Sequence, residues 1–309
     1  MQATSNRALP VGYKLQDYTI QKVLSAGGFS FVYLARDAEG EIVAVKEYLP
    51  TALALRTEGE RVEATTESLG SFRYGLKCFF EEGRALATID HKNIVRVLNF
   101  FRANNTVYMV MQYERGQSLQ DLILGRAEPL SEHFVRLVFS ELLNGLREVH
   151  SQKLLHLDIK PANIYIRQDR TPVLLDFGSA RQTLSKVQPE LPPCYTPGFA
   201  APEQHTDHTL LGPWSDVYSV GTSMYACLVR AAPMSAEHRV KKDRLLPAKK
   251  IGKGIYSESL LEIIDNCMAL NHMERPQSVF SLQKSLIENI PQAEKDPSLL
   301  ASLKNYLKK

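Results

Sequence analysis

Cysteine, net charge and long apolar runs are all scarce in this sequence, and each shortage excludes something. Its 4 cysteines in 309 residues, Cys78, Cys194, Cys227 and Cys267, stand far apart with no C-x-x-C spacing. Neither a zinc cluster nor a disulfide framework is indicated, and a reducing compartment fits such usage. The formal net charge is +3, too balanced to argue for a surface that wraps nucleic acid. The basic "LKNYLKK" at residues 303–309 reads as the end of a solvated helix. The longest apolar stretch, "SVGTSMYACLV" from Ser219, falls short of the roughly 20 residues that span a bilayer. The polar start "MQATSNRALP" lacks a signal-peptide core. No internal repeat or low-complexity segment stands out. Together these absences predict a soluble cytoplasmic protein with no nucleic-acid partner and no transmembrane segment.

What is present is a chain with 44% hydrophobic residues, enough to bury a core as one large domain or two lobes. Between Tyr18 and Lys46, short β-rich runs alternate with turn signals ("YTIQKVL", "SAGGFS", "FVYLARD", "AEGE", "IVAVKEY"), which predicts a three-stranded antiparallel meander. Residues 47–75 read as polar and irregular. "LKCFFEEGRALATI" then spaces Leu76, Phe79, Phe80, Leu86 and Ile89 as a helix does. "NIVRVLNFFRANNTVYMVMQY" predicts a hairpin turning at "ANN" and completing a sheet of about five strands. Beyond "ERGQSLQDLI" the period becomes helical, clearest in "EHFVRLVFSELLNGLREVHS". "NIYI" and "PVLLDF", flanking "RQDRT", predict a small hairpin within that helical part.

The residues that carry chemistry cluster in "HLDIKPAN", residues 156–163. Taken alone, such a charge-rich run is ordinary solvated loop. Three further features change its weight. "LSAGGFSFVYLA" joins two predicted strands through a glycine-bearing turn, the kind of backbone that can approach phosphate closely. "VAVK" places Ala44 and Lys46 on one face of the next strand. "DFG" begins at Asp176. Each feature by itself has a plain reading, as a hairpin turn, a strand-edge lysine or a surface carboxylate; their order along the chain is that of the protein-kinase template.

The sequence resembles the eukaryotic-like serine/threonine protein kinase family over residues 15–290, in wording closest to bacterial kinase domains. The resemblance implies an α+β, bilobal protein-kinase-like fold, with a small β-rich N-lobe carrying one main helix and a larger, mostly α-helical C-lobe. It implies an N-terminal extension over 1–14, an N-lobe over 15–113 with 47–75 inserted before the main helix, a C-lobe over 114–290 and a tail over 291–309. It implies an ATP-dependent protein serine/threonine kinase using ATP and Mg2+, with Mn2+ as the alternative ion, and a protein substrate bearing a serine or threonine hydroxyl. The same resemblance gives the residues roles. Asp158 accepts the hydroxyl proton, Lys160 contacts the γ-phosphate, and Asn163 and Asp176 bind metal. Lys46 holds the α- and β-phosphates and pairs with Glu82, with Glu81 the competing choice. The nucleotide is further lined by Leu24, Ser25, Ala26, Gly27, Gly28, Ser30, Val32 and Ala44. Met111 lies behind the adenine, the backbone of Gln112 and Glu114 pairs its edge, and Ser118 reaches the ribose. Ser179, Thr183, Ser185, Thr196 and Glu203 fall in the activation segment, Thr196 near Asp158 and Lys160. His156, Asp216 and Arg275 are structural supports, Arg275 pairing with Glu203.

Departures from the family pattern point at regulation. Ser25 and Ser30 replace two of the three turn glycines, leaving Gly27. Leu157 replaces the arginine that usually precedes the catalytic aspartate, which makes this a non-RD type. The 47–75 insertion and the tail are the expected places for a regulatory partner. Three rivals remain on sequence grounds: a pseudokinase or nucleotide-binding scaffold, a kinase-like small-molecule phosphotransferase, and a purely structural adaptor. Complete Lys46, Glu82, Asp158, Asn163 and Asp176 argue against the first and third, and "TPGFAAPE" with "SDVYSVG" favours a protein acceptor over the second.

Overall fold

The computed structural model describes residues 6–177 and 195–288, with the backbone alone of 181–182. Ser179, Thr183, Ser185, Cys194 and the 291–309 tail lie outside the described residues. The described chain forms two compact units, one of residues 6–90 and 95–114, the other of 91–94, 115–177, 181–182 and 195–288. The first unit ends one residue beyond the expected lobe boundary, and 91–94 belong to the second unit.

The first unit is β-rich. Its strands are β1 (Lys14–Leu15), β2 (Tyr18–Ala26), β3 (Ser30–Arg36), β4 (Ile42–Tyr48), β5 (Ala54–Arg56), β6 (Val62–Ala64), then, after helix α1 (Leu69–Leu86), β7 (Val97–Ala103) and β8 (Thr106–Gln112). Six strands form one antiparallel sheet in the order β1-β2-β3-β4-β8-β7, one more than expected because residues 14–15 pair with β2. The β7–β8 turn is Asn104–Asn105, both in the left-handed region at φ 51° and 59°, which gives a hairpin turn the twist of its strands.

Alternation along β3 and β4 separates two faces. Phe31, Tyr33, Ala35, Val43 and Val45 join Leu9, Ile20, Tyr108 and Val110 in a hydrophobic core. The supposed N-terminal extension therefore contributes to this core through Leu9. On the opposite face lie Val32, Leu34, Ala44 and Lys46, with Met109 and Met111 as cross-strand partners of Lys46 and Ala44. Helix α1 closes on the sheet through glycine. A Cβ at Gly75 would stand 1.9 Å from the Tyr48 hydroxyl, and one at Gly83 3.2 Å from Met109 Cε.

Residues 47–75 depart from the reading as an irregular insertion. They hold the end of β4, the β5–β6 hairpin and the first turns of α1, which begins at Leu69 rather than near Leu76. Phe72, packed at 5.7 Å on Tyr48, extends the buried stripe one turn further back than the Leu76–Ile89 pattern suggests.

The second unit is mainly helical, with β9 (Gly116–Ser118), α2 (Leu119–Leu124), α3 (Glu132–Ser151), β10 (Leu154–Leu155), β11 (Ile164–Arg167), β12 (Pro172–Leu174), β13 (Arg181–Gln182), α4 (Pro202–His205), α5 (Pro213–Val229), α6 (Ala236–Lys241), α7 (Ala248–Ile251), α8 (Glu258–Cys267) and α9 (Val279–Glu288). The expected β11–β12 hairpin is present, and β9 adds a third strand. Helix α3 spans the residues expected of it: the Ser131 hydroxyl accepts from Phe134 N–H at 3.3 Å, an N-cap worth about 1 kcal/mol. Its buried Val135, Phe139, Leu142, Leu146 and Val149 repeat every three or four residues and pack on α5 and α9. Helix α5 is buried all round from Ser215 to Leu228, as a core helix must be.

Candidate active site

The candidate residues fall in both units. In the second, the octet 156–163 follows β10 and ends in a 3-10 turn, Pro161–Asn163. Its shape is set from α5. The fully buried Asp216 accepts N–H bonds from His156 at 2.9 Å and Leu157 at 2.8 Å, and His150 Nε2 meets the same carboxylate at 2.7 Å. Burial alone would raise the Asp216 pKa; the His150 hydrogen bond and charge, with the loop amides, outweigh it and hold the carboxyl below its ordinary value. Leu157 sits at φ 62°, a left-handed conformation that costs a non-glycine residue on the order of 1–3 kcal/mol. Two bonds hold it there, its N–H on Asp216 and its carbonyl accepting from Gln204 Nε2 at 2.8 Å.

His156 is completely buried, and burial pushes its pKa below the ordinary histidine value against the pull of Asp216 and Asp158. Its neutral ring accepts the Asp158 N–H on Nδ1 at 3.2 Å and faces the Leu175 carbonyl with Nε2 at 3.2 Å, which assigns the proton to Nε2. The ring packs 4.3 Å from Phe177. Among the described residues these contacts tie the ring to the backbone at Asp158 and Leu175 and to the Phe177 side chain.

Around Asp158 the side chains converge. Oδ1 accepts the Thr196 hydroxyl at 2.7 Å. Oδ2 accepts Lys160 Nζ at 2.7 Å and Asn163 Nδ2 at 3.0 Å. Lys160 Nζ also donates to Thr196 Oγ1 at 2.7 Å, and Asn163 Nδ2 to the Asp158 carbonyl at 2.9 Å. The asparagine thus spends its donors on Asp158. Asp176 lies at φ 55° just past β12. Arg275 Nη1 and Nη2 grip Glu203 at 2.8 and 3.0 Å, and the guanidinium also donates to the Ala269, Trp214 and Leu270 carbonyls. Such a satisfied buried pair is costly to break from one side. Ser118 donates to Asp121 Oδ2 at 2.6 Å and accepts the Asp121 N–H at 3.0 Å, so its hydroxyl caps α2 rather than standing ready for a ribose.

In the first unit, Val32, Ala44, Lys46 and Met111 share one sheet face, and α1 packs on the sheet at β7 and β8. Lys46 is 4% exposed, with Nζ 5.5 Å from the Phe79 ring centre. Glu82 is 9% exposed, on the buried stripe of α1 with Phe79 and Gly83, whereas Glu81 pairs at the surface with Arg84. Burial thus sets Glu82 apart from Glu81. Leu24 through Phe29 are exposed, and the turn closes through Gly27 N–H to Ser30 O at 2.9 Å. The Gln112 N–H donates to Arg96 O at 2.9 Å, so a ligand edge would have to use its carbonyl; Glu114 is buried.

Sequence reading missed three participants. His150 ends the amphipathic run of α3, and its position one turn before the loop was the available signal. Gln204 follows Glu203 directly. Arg56, in the polar insertion, left no signal at all.

Among the described residues no helix is long and apolar enough to cross a membrane. The sequence pattern of the protein kinase domain matches residues 18–287. Serine/threonine-protein kinase D of Synechocystis is 29% identical over 268 residues, 79% of this chain and 49% of that protein. The kinase pkn3 of Myxococcus xanthus is 27% identical over 297 residues, 89% of this chain and 50% of that protein. The chain thus spans about half the length of these curated relatives. A solved structure described as the apo form of PpkA-294 matches with a TM-score of 0.79 at 34% identity, covering 91% of this chain and 100% of that one. Sequence pattern, relatives and fold agree: the chain belongs to the protein kinase family, alongside serine/threonine kinases of bacteria.

Proposed function

We propose that the chain is an active, ATP-dependent protein serine/threonine kinase of the non-RD type, with Asp158 as the base. The observation that carries this is the Asp158 carboxylate, which already accepts an aliphatic hydroxyl from Thr196 while Lys160 and Asn163 fix its second oxygen. A serine or threonine side chain presented to Oδ1 would be oriented in the same way, its proton passing to that oxygen as the hydroxyl oxygen attacks the γ-phosphorus and the bond from that phosphorus to the β–γ bridging oxygen breaks, releasing ADP. Lys160, already beside Oδ2, would neutralise charge on the transferred group. The alcohol, rather than a phenol, is the acceptor class matched by Lys160 two positions after the base.

Among the described residues no group of three or more His, Cys, Asp and Glu side chains could hold a metal ion. Mg2+ needs no such group, since it binds through one or two protein carboxylates and completes its shell with nucleotide phosphates and water. Asn163, its donors spent on Asp158, offers its amide oxygen, and Asp176 a carboxylate. A metal held there would supply charge neutralisation for the phosphates. Lys46 with Glu82, the 25–30 turn, Ala44 and Met111 would bind the rest of the nucleotide.

The test is Asp158→Asn. Turnover on a generic protein acceptor should fall about two to four orders of magnitude, with ATP affinity nearly unchanged. A fall under about tenfold would remove Asp158 from the role of base.

A further inference from the structure

The segment that follows β4 does something the kinase reading leaves unexplained. Leu49 N–H donates to the Phe29 carbonyl at 3.0 Å, and Thr51 N–H donates to the Gly28 carbonyl at 2.9 Å. The backbone of the insertion thus continues the β3–β4 ladder, whose last pair is Ser30 with Tyr48, out onto the glycine-bearing turn. Past Thr51 the chain turns tightly, Leu53 and Ala54 N–H both meeting the Pro50 carbonyl at 2.9 Å, and enters the β5–β6 hairpin.

That hairpin is itself locked. Arg56, with a fully buried side chain, pairs with the equally buried Glu47 and donates to the Arg7 and Glu60 carbonyls, each at 2.9 Å. Glu47 also accepts the hydroxyls of Tyr33, at 2.7 Å, and Tyr108. Asn6 brackets β5, its Nδ2 on the Ala54 carbonyl and its Oδ1 accepting Arg56 N–H, both at 2.9 Å. Glu47 is the neighbour of Lys46 on β4, so one strand presents the lysine to α1 and the anchoring carboxylate to the hairpin.

We propose that the inserted hairpin braces the 25–30 turn, and that Arg56 is a positioning residue for nucleotide binding by that turn; the nucleotide part rests on the kinase reading above. A turn with Ser25 and Ser30 in place of glycine, tied at two carbonyls, is held in shape before ligand arrives, which lowers the ordering cost of binding.

The decisive variant is Thr51→Pro. Thr51 is exposed and holds the second position of the Pro50–Leu53 turn, where proline is favoured, so the change deletes the N–H to Gly28 and keeps the turn. Thr51→Ala keeps the N–H and is the control. In nucleotide-free protein, amide exchange at Gly27 and Leu49 should quicken about tenfold or more in Thr51→Pro, and stay at the wild-type rate in Thr51→Ala. ATP affinity should weaken about five- to tenfold, with kcat at saturating ATP changed less than about threefold. Arg56→Lys retains a charge for Glu47 but loses the planar fork that reaches both carbonyls; it should show the same exchange signature at smaller amplitude. Unchanged exchange in Thr51→Pro overturns the brace, and unchanged exchange in Arg56→Lys overturns the role of Arg56. Faster exchange with unaltered ATP affinity overturns the link to nucleotide. If wild-type protein binds no ATP, the kinase reading fails, while the exchange rates still decide the brace.

Discussion

Two buried charge networks hold this protein's candidate site residues, and they work differently. In the helical unit, Asp216 reaches the 156–163 loop itself, bonding two of its backbone amides. In the β-rich unit, Glu47 and Arg56 hold side chain to side chain, and their effect on the 25–30 turn passes through backbone bonds of residues 49–51. The first network fixes the shape of a loop in which each dihedral matters. The second fixes where a hairpin sits, and leaves the shape of the turn to its own ladder. Damage to the first should therefore appear in turnover, and damage to the second in stability and nucleotide affinity.

Asp216→Ala should sharpen that contrast most. It strips buried amides of their acceptor, at about 1–3 kcal/mol each, and frees Leu157 from its left-handed conformation; misplacing Asp158 by about 1 Å is enough for a loss on the order of 100-fold in kcat. A stable variant with near wild-type kcat would show that the loop holds its own shape. Next come Arg275→Met and Arg56→Met, each of which leaves a buried carboxylate unpaired, at about 3–5 kcal/mol in chemical denaturation. Adding Glu47→Gln to Arg56→Met should restore most of that stability, since neither position then carries a buried charge, and kcat at saturating ATP should persist. Equal loss of kcat in the Asp216 and Arg56 variants at matched stability would erase the distinction between the networks.

A smaller effect comes from acid. His156 is neutral when folded, its pKa held below the ordinary value by burial, while the unfolded chain protonates near pH 6.5. Between those two values the unfolded state binds more protons, so the contribution is full above about pH 6.5 and is lost as pH falls below it. His205, also lowered chiefly by burial, acts in the same direction. The depressed Asp216 carboxyl adds its loss at lower pH still, below about 4. Melting temperatures should drop on the acid side of about pH 6.5, and His156→Gln should flatten that first step.

The helical unit was largely legible in the sequence because its signals are local. Ser131 caps a run with three- and four-residue spacing, and "HLDIKPAN", "DFG" and "APE" keep their residues in one place. The meander and the Asn104–Asn105 hairpin were legible for the same reason. The start of α1 was not, because Gly70, Ser71 and Gly75 are weak helix formers and the helix is set by Phe72 and Gly75 packing on Tyr48. Arg56 was hidden for another reason: its partners are Glu47, Arg7 and Glu60, which no periodicity connects to it, and a polar stretch looks solvated until a partner is found.

Serine or threonine transfer is expected to proceed from a loop ordered by Asp216 and Gln204 rather than by a phosphate paired with an arginine at position 157. Leucine cannot pair with a phosphorylated Ser179, Thr183 or Ser185. The most direct measurement is phosphoamino-acid mapping of a protein acceptor after incubation with ATP and Mg2+, comparing phosphatase-treated and untreated enzyme and the Ser179→Ala, Thr183→Ala, Ser185→Ala triple variant. Phosphoserine and phosphothreonine should form in all three, at rates within about tenfold, a barrier difference under about 1.4 kcal/mol. Absence of transfer in every sample, phosphotyrosine as the product, or a larger loss confined to the treated enzyme and the triple variant would contradict it.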